Sequence, residues 1–168
     1  MLEADLLDLA ARVGAGLLDR GLTMATAESC TGGLIAGTVT AIAGSSGWFD
    51  RGFVTYSNAA KREMLGVPAA CLEAFGAVSE PTARAMAEGA LARSGAGIAV
   101  AVTGVAGPAG GTRPKPVGMV CFGWAVRGRP VEAATMHFPG ERAEVRARTV
   151  RHALEGILIR LDSNPSGG

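Results

Sequence analysis

Apolar residues recur every three to four positions over 2–19, so that Leu6, Leu9, Ala10, Val13 and Leu17 share one face and Gly21 follows as a stop. That spacing predicts an amphipathic first helix. A short strand is expected over 22–27, then a helix over 31–42 whose apolar run begins at Leu34. A Gly/Ser loop over 43–47 leads to Trp48 and Phe49, which should anchor its far end in the core. Residues 52–56 read as a second strand. Ser57 or Asn58 then caps a short helix that carries Lys61 and stops at Gly66, and Pro68 starts another piece that runs to Phe75. Ser79, Glu80 and Pro81 supply a capping hydroxyl, an acid and a first-turn proline, so a helix is predicted from there to Arg93. The run 97–103, Gly-Ile-Ala-Val-Ala-Val-Thr, suits a central strand buried on both faces. Residues 117–126 and 131–138 pair as a hairpin across Arg127 to Pro130, and a long helix closes the chain over 141–161. Helices alternate with the first three strands and a hairpin completes the sheet. The pattern predicts an α/β fold, a three-layer α/β/α sandwich with a mixed sheet. It predicts one domain over 1–162, with a polar, Gly-rich tail at 163–168 expected to be disordered.

Composition narrows the function. Of 168 residues, 48% are apolar and 18% charged, the balance of a globular domain with a substantial core. A formal charge of +1 provides no basic field, which argues against nucleic acid as the partner. Cys30, Cys71 and Cys121 are odd in number and have no paired spacing, so a reducing, cytoplasmic setting is expected. His137 and His152 are the only histidines, too few for a zinc site, and no metal or cofactor is expected. No apolar run is long enough to span a membrane.

The chemistry is expected at the carboxyl ends of the first three strands, where ligands of open α/β sheets bind. Three stretches follow those ends: Glu28-Ser29-Cys30-Thr31, then Tyr56-Ser57-Asn58 with Lys61, then Thr103-Gly104. Ser29 and Cys30 are both nucleophile types. Placed at a helix start, they would meet unpartnered N–H groups that favour an anion or an oxyanion, although Ser and Thr there also serve as ordinary caps. No histidine is placed to act as a base, whereas a serine hydrolase with a lysine base needs only a neutral amine. Lys61 at a helix start fits, since burial and the helix dipole both depress a lysine pKa. Tyr56 is a candidate to relay a proton or to hold Lys61. Ser46 precedes the second strand, so simple topology puts it at the opposite edge unless its loop folds back. Gly104, Gly107, Pro108, Gly110 and Gly111 make a loop whose N–H groups could approach an anion, with Lys115, Arg142 and Arg146 as possible phosphate partners. Neither the Walker A nor the dinucleotide glycine fingerprint occurs, and Ser29 is not in a G-x-S-x-G elbow.

Several blocks together resemble one family. They are Thr26-Ala27-Glu28-Ser29-Cys30-Thr31-Gly32-Gly33, Gly44-Ser45-Ser46 with Trp48-Phe49, and Gly52 to Asn58 followed by Lys61. Gly76 to Glu80, Thr103-Gly104 with Ala106-Gly107-Pro108, and Lys115 to Gly118 continue the series. In this order they resemble the CinA C-terminal-domain family, and within it the stand-alone nicotinamide-nucleotide amidohydrolases that lack an extra N-terminal domain. The resemblance implies hydrolysis of the carboxamide of nicotinamide mononucleotide (NMN) to nicotinate mononucleotide and ammonia, in pyridine nucleotide recycling, by a Ser/Lys mechanism without metal. It implies catalytic roles for Ser29, Lys61, Tyr56 and Ser46, with Ser46 as reserve nucleophile. Substrate contacts are expected from Thr31, Thr103, Gly104, Gly107 and Arg142. Two alternatives remain open at this point: a cysteine hydrolase using Cys30, and a non-catalytic nucleotide-binding module. A homo-oligomer, in the first instance a dimer, is expected of a small α/β enzyme with Ala-rich helices.

Overall fold

A computed structural model describes residues 3–163. Five strands form one sheet in the order β2-β1-β3-β4-β5: β1 Met24–Glu28, β2 Phe49–Val54, β3 Ile98–Gly104, β4 Met119–Val126 and β5 Glu132–His137. β1 pairs in parallel with β2 and with β3, and β4 and β5 are antiparallel, so the sheet is mixed. Helices α1 Ala4–Asp19, α2 Leu34–Thr40 and α6 Arg142–Asp162 cover one face; α3 Asn58–Leu65, α4 Ala69–Phe75 and α5 Glu80–Ala92 cover the other. The expected tail lies outside the described residues, apart from Ser163.

Side-chain alternation along the strands makes the two faces unequal. Ile98, Val100 and Val102 of β3 face α1, α2 and α6, where they join Leu9, Val13, Leu17, Phe122, Leu154 and Ile157 in a core of large side chains. Ala99 and Ala101 face the other way and join Ala25, Ala27, Ala87 and Ala90, so α5 packs close to the sheet on a layer of methyl groups. Trp48 is buried in the larger core, as expected from the sequence.

The boundaries near the strand ends differ from the sequence pattern. The second strand begins at Phe49 and ends at Val54, which leaves Tyr56 beyond it. Its side chains are mostly exposed because it is an edge strand, and exposed positions blur the alternation that locates a strand. The second helix begins at Leu34 rather than residue 31. Gly32 and Gly33 have φ of +57° and +103°, a left-handed pair that side-chain-bearing residues resist, and they make 29–33 a turn. Caps behave as the sequence predicts at the other helices in question: Ser57 Oγ accepts from Ala60 N–H, and Ser79 Oγ accepts from Thr82 N–H.

Candidate active site

Glu28, the last residue of β1, accepts at its backbone oxygen from Thr55 N–H at 2.8 Å, so the β1–β2 ladder runs one residue past Val54. That register sets Ser29 beside Thr55, with Tyr56 next along, at the strand ends. Ser57 then starts α3, and Lys61 lies one turn along it, its N–H donating to Ser57 O. Helical side chains lean toward the helix N-terminus. Lys61 therefore reaches back over the strand ends, and its Nζ stands 3.0 Å from Ser29 Oγ, 3.0 Å from Thr55 O and 3.2 Å from Tyr56 O.

Both partners are sequestered: Lys61 is 1% exposed and Ser29 7%. Burial pushes the Lys61 amine below the ordinary lysine range, because a charged ammonium is cut off from bulk water there. A neutral amine has two hydrogens and one lone pair. With the two carbonyls taking the hydrogens, the lone pair is left for the Ser29 hydroxyl. The arrangement can draw a proton from Ser29 and make it a nucleophile.

Ser29, Lys61 and Tyr56 border an open cleft of about 270 Å³ that is also walled by Thr103, Gly104, Gly107 and Arg142. Arg142, the first residue of α6, donates to Gly107 O at 2.8 Å and to the Tyr56 hydroxyl at 3.4 Å, and so bridges the cleft mouth. Thr103 donates to Ala77 O at 2.8 Å and fixes the opposite wall. Among the described residues no group of three or more His, Cys, Asp or Glu side chains gathers in a way that could hold a metal ion.

A model of the CinA C-terminal domain matches residues 6–161. This chain belongs to the CinA C-terminal domain family. It is 54% identical over 142 residues to a CinA-like protein of Akkermansia muciniphila, covering 84% of this chain and 34% of that one. It is 51% identical over 158 residues to the nicotinamide-nucleotide amidohydrolase PncC of Enterobacter agglomerans, covering 94% of this chain and 96% of that one. The chain thus spans about a third of the length of some curated family members and nearly the whole of others. The crystal structure of the competence/damage inducible protein CihA from Agrobacterium tumefaciens superposes with a TM-score of 0.93 at 52% identity, covering 97% of this chain and 99% of that one.

Within this CinA-type fold, some of the expected site residues stand elsewhere. Ser46 is exposed in the 3-10 turn Ser45–Gly47, before β2, and is not on the cleft. In parallel strands the residues before β2 and those after β1 lie at opposite ends of the sheet, so the chain by itself does not bring Ser46 to Ser29. Thr31 is fully buried and off the cleft wall, and its hydroxyl donates to Glu28 Oε1 at 2.5 Å. Tyr56 meets Lys61 through its carbonyl rather than its phenol, and the phenol turns to Arg142 instead. At the observed start of α2, two of the N–H groups expected to face an anion are taken by the chain itself. The N–H groups of Ile35 and Ala36 donate to the Glu28 carboxylate at 2.8 and 3.0 Å, so those donors are occupied. Lys115 is tied to Phe75 O at 2.6 Å and does not border the cleft. Cys30 does border it, yet burial, with the nearby Glu28 charge adding to it, pushes its thiol up to about 12.

Asn58 borders the cleft with the stretch expected there, whereas Ala77 and Val78 as cleft walls and the buried carboxylate of Glu28 as a structural partner fall outside the roles that the residue pattern predicts. For Glu28 a signal was present: an acid directly before a nucleophile type and three residues before a threonine. For the walls at 77 and 78 the only mark is their place in the Gly76–Glu80 block, because an apolar loop residue by itself does not show what it faces.

Proposed function

We propose that this chain hydrolyses the carboxamide of NMN to nicotinate mononucleotide and ammonia, with Ser29 as nucleophile and Lys61 as base. The observation that carries the reading is the buried Ser29–Lys61 contact at 3.0 Å, opening onto the cleft. The relative named as a nicotinamide-nucleotide amidohydrolase, aligned over nearly its whole length, supports the substrate class. Ser29 Oγ attacks the carboxamide carbon as its proton passes to Lys61. The Lys61 ammonium returns that proton to the amide nitrogen, the C–N bond breaks and ammonia leaves. A water then attacks the acyl ester with Lys61 as base, restoring Ser29 and releasing the acid. Backbone amides of Gly104, Ala106 and Gly107 on the cleft wall would steady the oxyanion, and Arg142 would take the 5′-phosphate. No described helix is long and apolar enough to cross a membrane, and all three cysteines are free, which supports a cytoplasmic setting.

The test is ammonia release from NMN by the wild type and by two variants. Ser29→Ala is expected to release none above background. Cys30→Ala should stay within about threefold of wild type, because a thiol held near 12 is almost entirely protonated at neutral pH. A dead Cys30→Ala with an active Ser29→Ala would install the cysteine mechanism. Binding of NMN without any turnover would favour a non-catalytic nucleotide-binding module.

Arg142 supplies a further expected outcome. A charge-assisted bond to phosphate contributes about 1.5–3 kcal/mol, so Arg142→Ala should raise KM by roughly 10- to 100-fold and leave kcat within a few-fold. Steady-state kinetics on NMN read both constants. An unchanged KM would take Arg142 out of substrate binding.

A further inference from the structure

The turn that carries Ser29 is held by side chains that never touch the cleft. Ser29 N–H donates to Val102 O at 3.1 Å, and Gly32 N–H closes the turn onto Ser29 O at 3.0 Å. From inside, the fully buried Glu28 carboxylate accepts from the Thr31 hydroxyl as well as from Ile35 and Ala36 N–H. It therefore locks the turn to the helix behind it. From outside, Arg146 Nη2 donates to Thr31 O at 2.9 Å. Arg146 lies one helical turn after Arg142, so the first two turns of α6 hold both the cleft mouth and the nucleophile's turn. None of Glu28, Thr31 or Arg146 borders the cleft. Their effect must pass through the position of Ser29 Oγ relative to Lys61 Nζ.

We propose that Glu28, Thr31 and Arg146 are positioning residues that keep the Ser29 hydroxyl within proton-transfer reach of the Lys61 amine. The proposal rests on the hydrolase reading above. A displacement of about 1 Å at a reacting atom costs on the order of 100-fold in rate, whereas substrate affinity depends on walls these residues do not form. The signature is a loss in kcat with KM unchanged.

The experiment uses the full chain with Thr31→Val, Thr31→Ser, Glu28→Gln and Arg146→Met, assayed for ammonia release from NMN. Active sites are counted by labelling Ser29 with a fluorophosphonate. Thr31→Val, nearly isosteric, is expected to lose roughly 10- to 100-fold in kcat per labelled site with KM within about twofold. Thr31→Ser, which keeps the hydroxyl, should restore most of it. Glu28→Gln presents an amide N–H₂ to one of three donors and should fall by a similar factor, as should Arg146→Met. The pH profile of kcat/KM should shift in Thr31→Val, because a slack turn changes what faces the Lys61 amine. A raised KM with normal kcat would make Thr31 a substrate contact and overturn the proposal. So would wild-type kcat in Thr31→Val, or activity lost only in proportion to folded, labelled protein. A wild type that releases no ammonia would remove the hydrolase reading itself, an outcome distinct from an active wild type with unaffected variants.

Discussion

Lys61→Met is expected to lower kcat for ammonia release by about 10⁴-fold while KM stays within a few-fold, the scale of losing a positioned general base. Methionine approximates the length of the side chain without the amine, and Lys61 is buried, so the variant tests the nitrogen rather than the shape. In the wild type kcat/KM should climb with pH as Lys61 loses its proton. The climb should end below the ordinary lysine value of about 10.4, because burial depresses the amine. The variant should lack that limb. The same shift has a stability consequence of defined sign. The folded pKa is lower than the unfolded one, so between the two the unfolded chain holds the extra proton, and stability rises with pH across that window. Below the window the cost of burying the ammonium is fully present, and above about 10.4 it is gone. Denaturant unfolding across a pH series should show this rise in the wild type and a flatter profile in Lys61→Met. Wild-type turnover by Lys61→Met would leave the mechanism without a base.

Gly89→Ala is expected to destabilise the protein by about 2 kcal/mol. Gly89 lies in α5 where that helix crosses the end of α3. A Cβ there would overlap the Leu65 carbonyl, with Leu65 C at 2.9 Å and Cβ at 3.0 Å. The obstacle is backbone, which cannot rotate away. Overpacking of this kind costs up to about 3 kcal/mol, from which about 1 kcal/mol of improved helix propensity is recovered. For a chain of this size the midpoint should fall by roughly 4–8 °C. Leu65 is one turn beyond Lys61 on α3, so a displaced α3 should also lower kcat. Thermal melts and ammonia assays on the same preparation read both, and an unchanged midpoint would mean that α3 and α5 separate without cost.

The architecture was legible because burial leaves a strong mark. A core helix such as α1 repeats its apolar residues every turn, and β3, buried on both faces, shows an unbroken apolar run. β2 lies upstream of where its pattern predicts it because an edge strand with exposed Asp50, Arg51 and Gly52 has little burial to report. The start of α2 departs from its pattern for a different reason. A side chain from the preceding strand, Glu28, satisfies its first N–H groups across seven and eight residues of chain, and local capping rules look only at neighbours.

At the site, the sequence by itself determined which residue types were available and on which elements they ride. The order of strands and helices sent the Ser29 and Lys61 segments to one sheet edge, since parallel strands joined by helices leave their following turns together. Only the tertiary structure decided which of those groups meet. It turned Lys61 back over the strand ends onto Ser29, gave the Thr31 hydroxyl to Glu28, aimed the Tyr56 phenol at Arg142 and left Ser46 at the far end of the sheet. The reason is physical. Element type follows from local periodicity and propensity, whereas a hydrogen bond between residues 32 or 86 apart depends on how whole elements pack, and no local pattern encodes that distance.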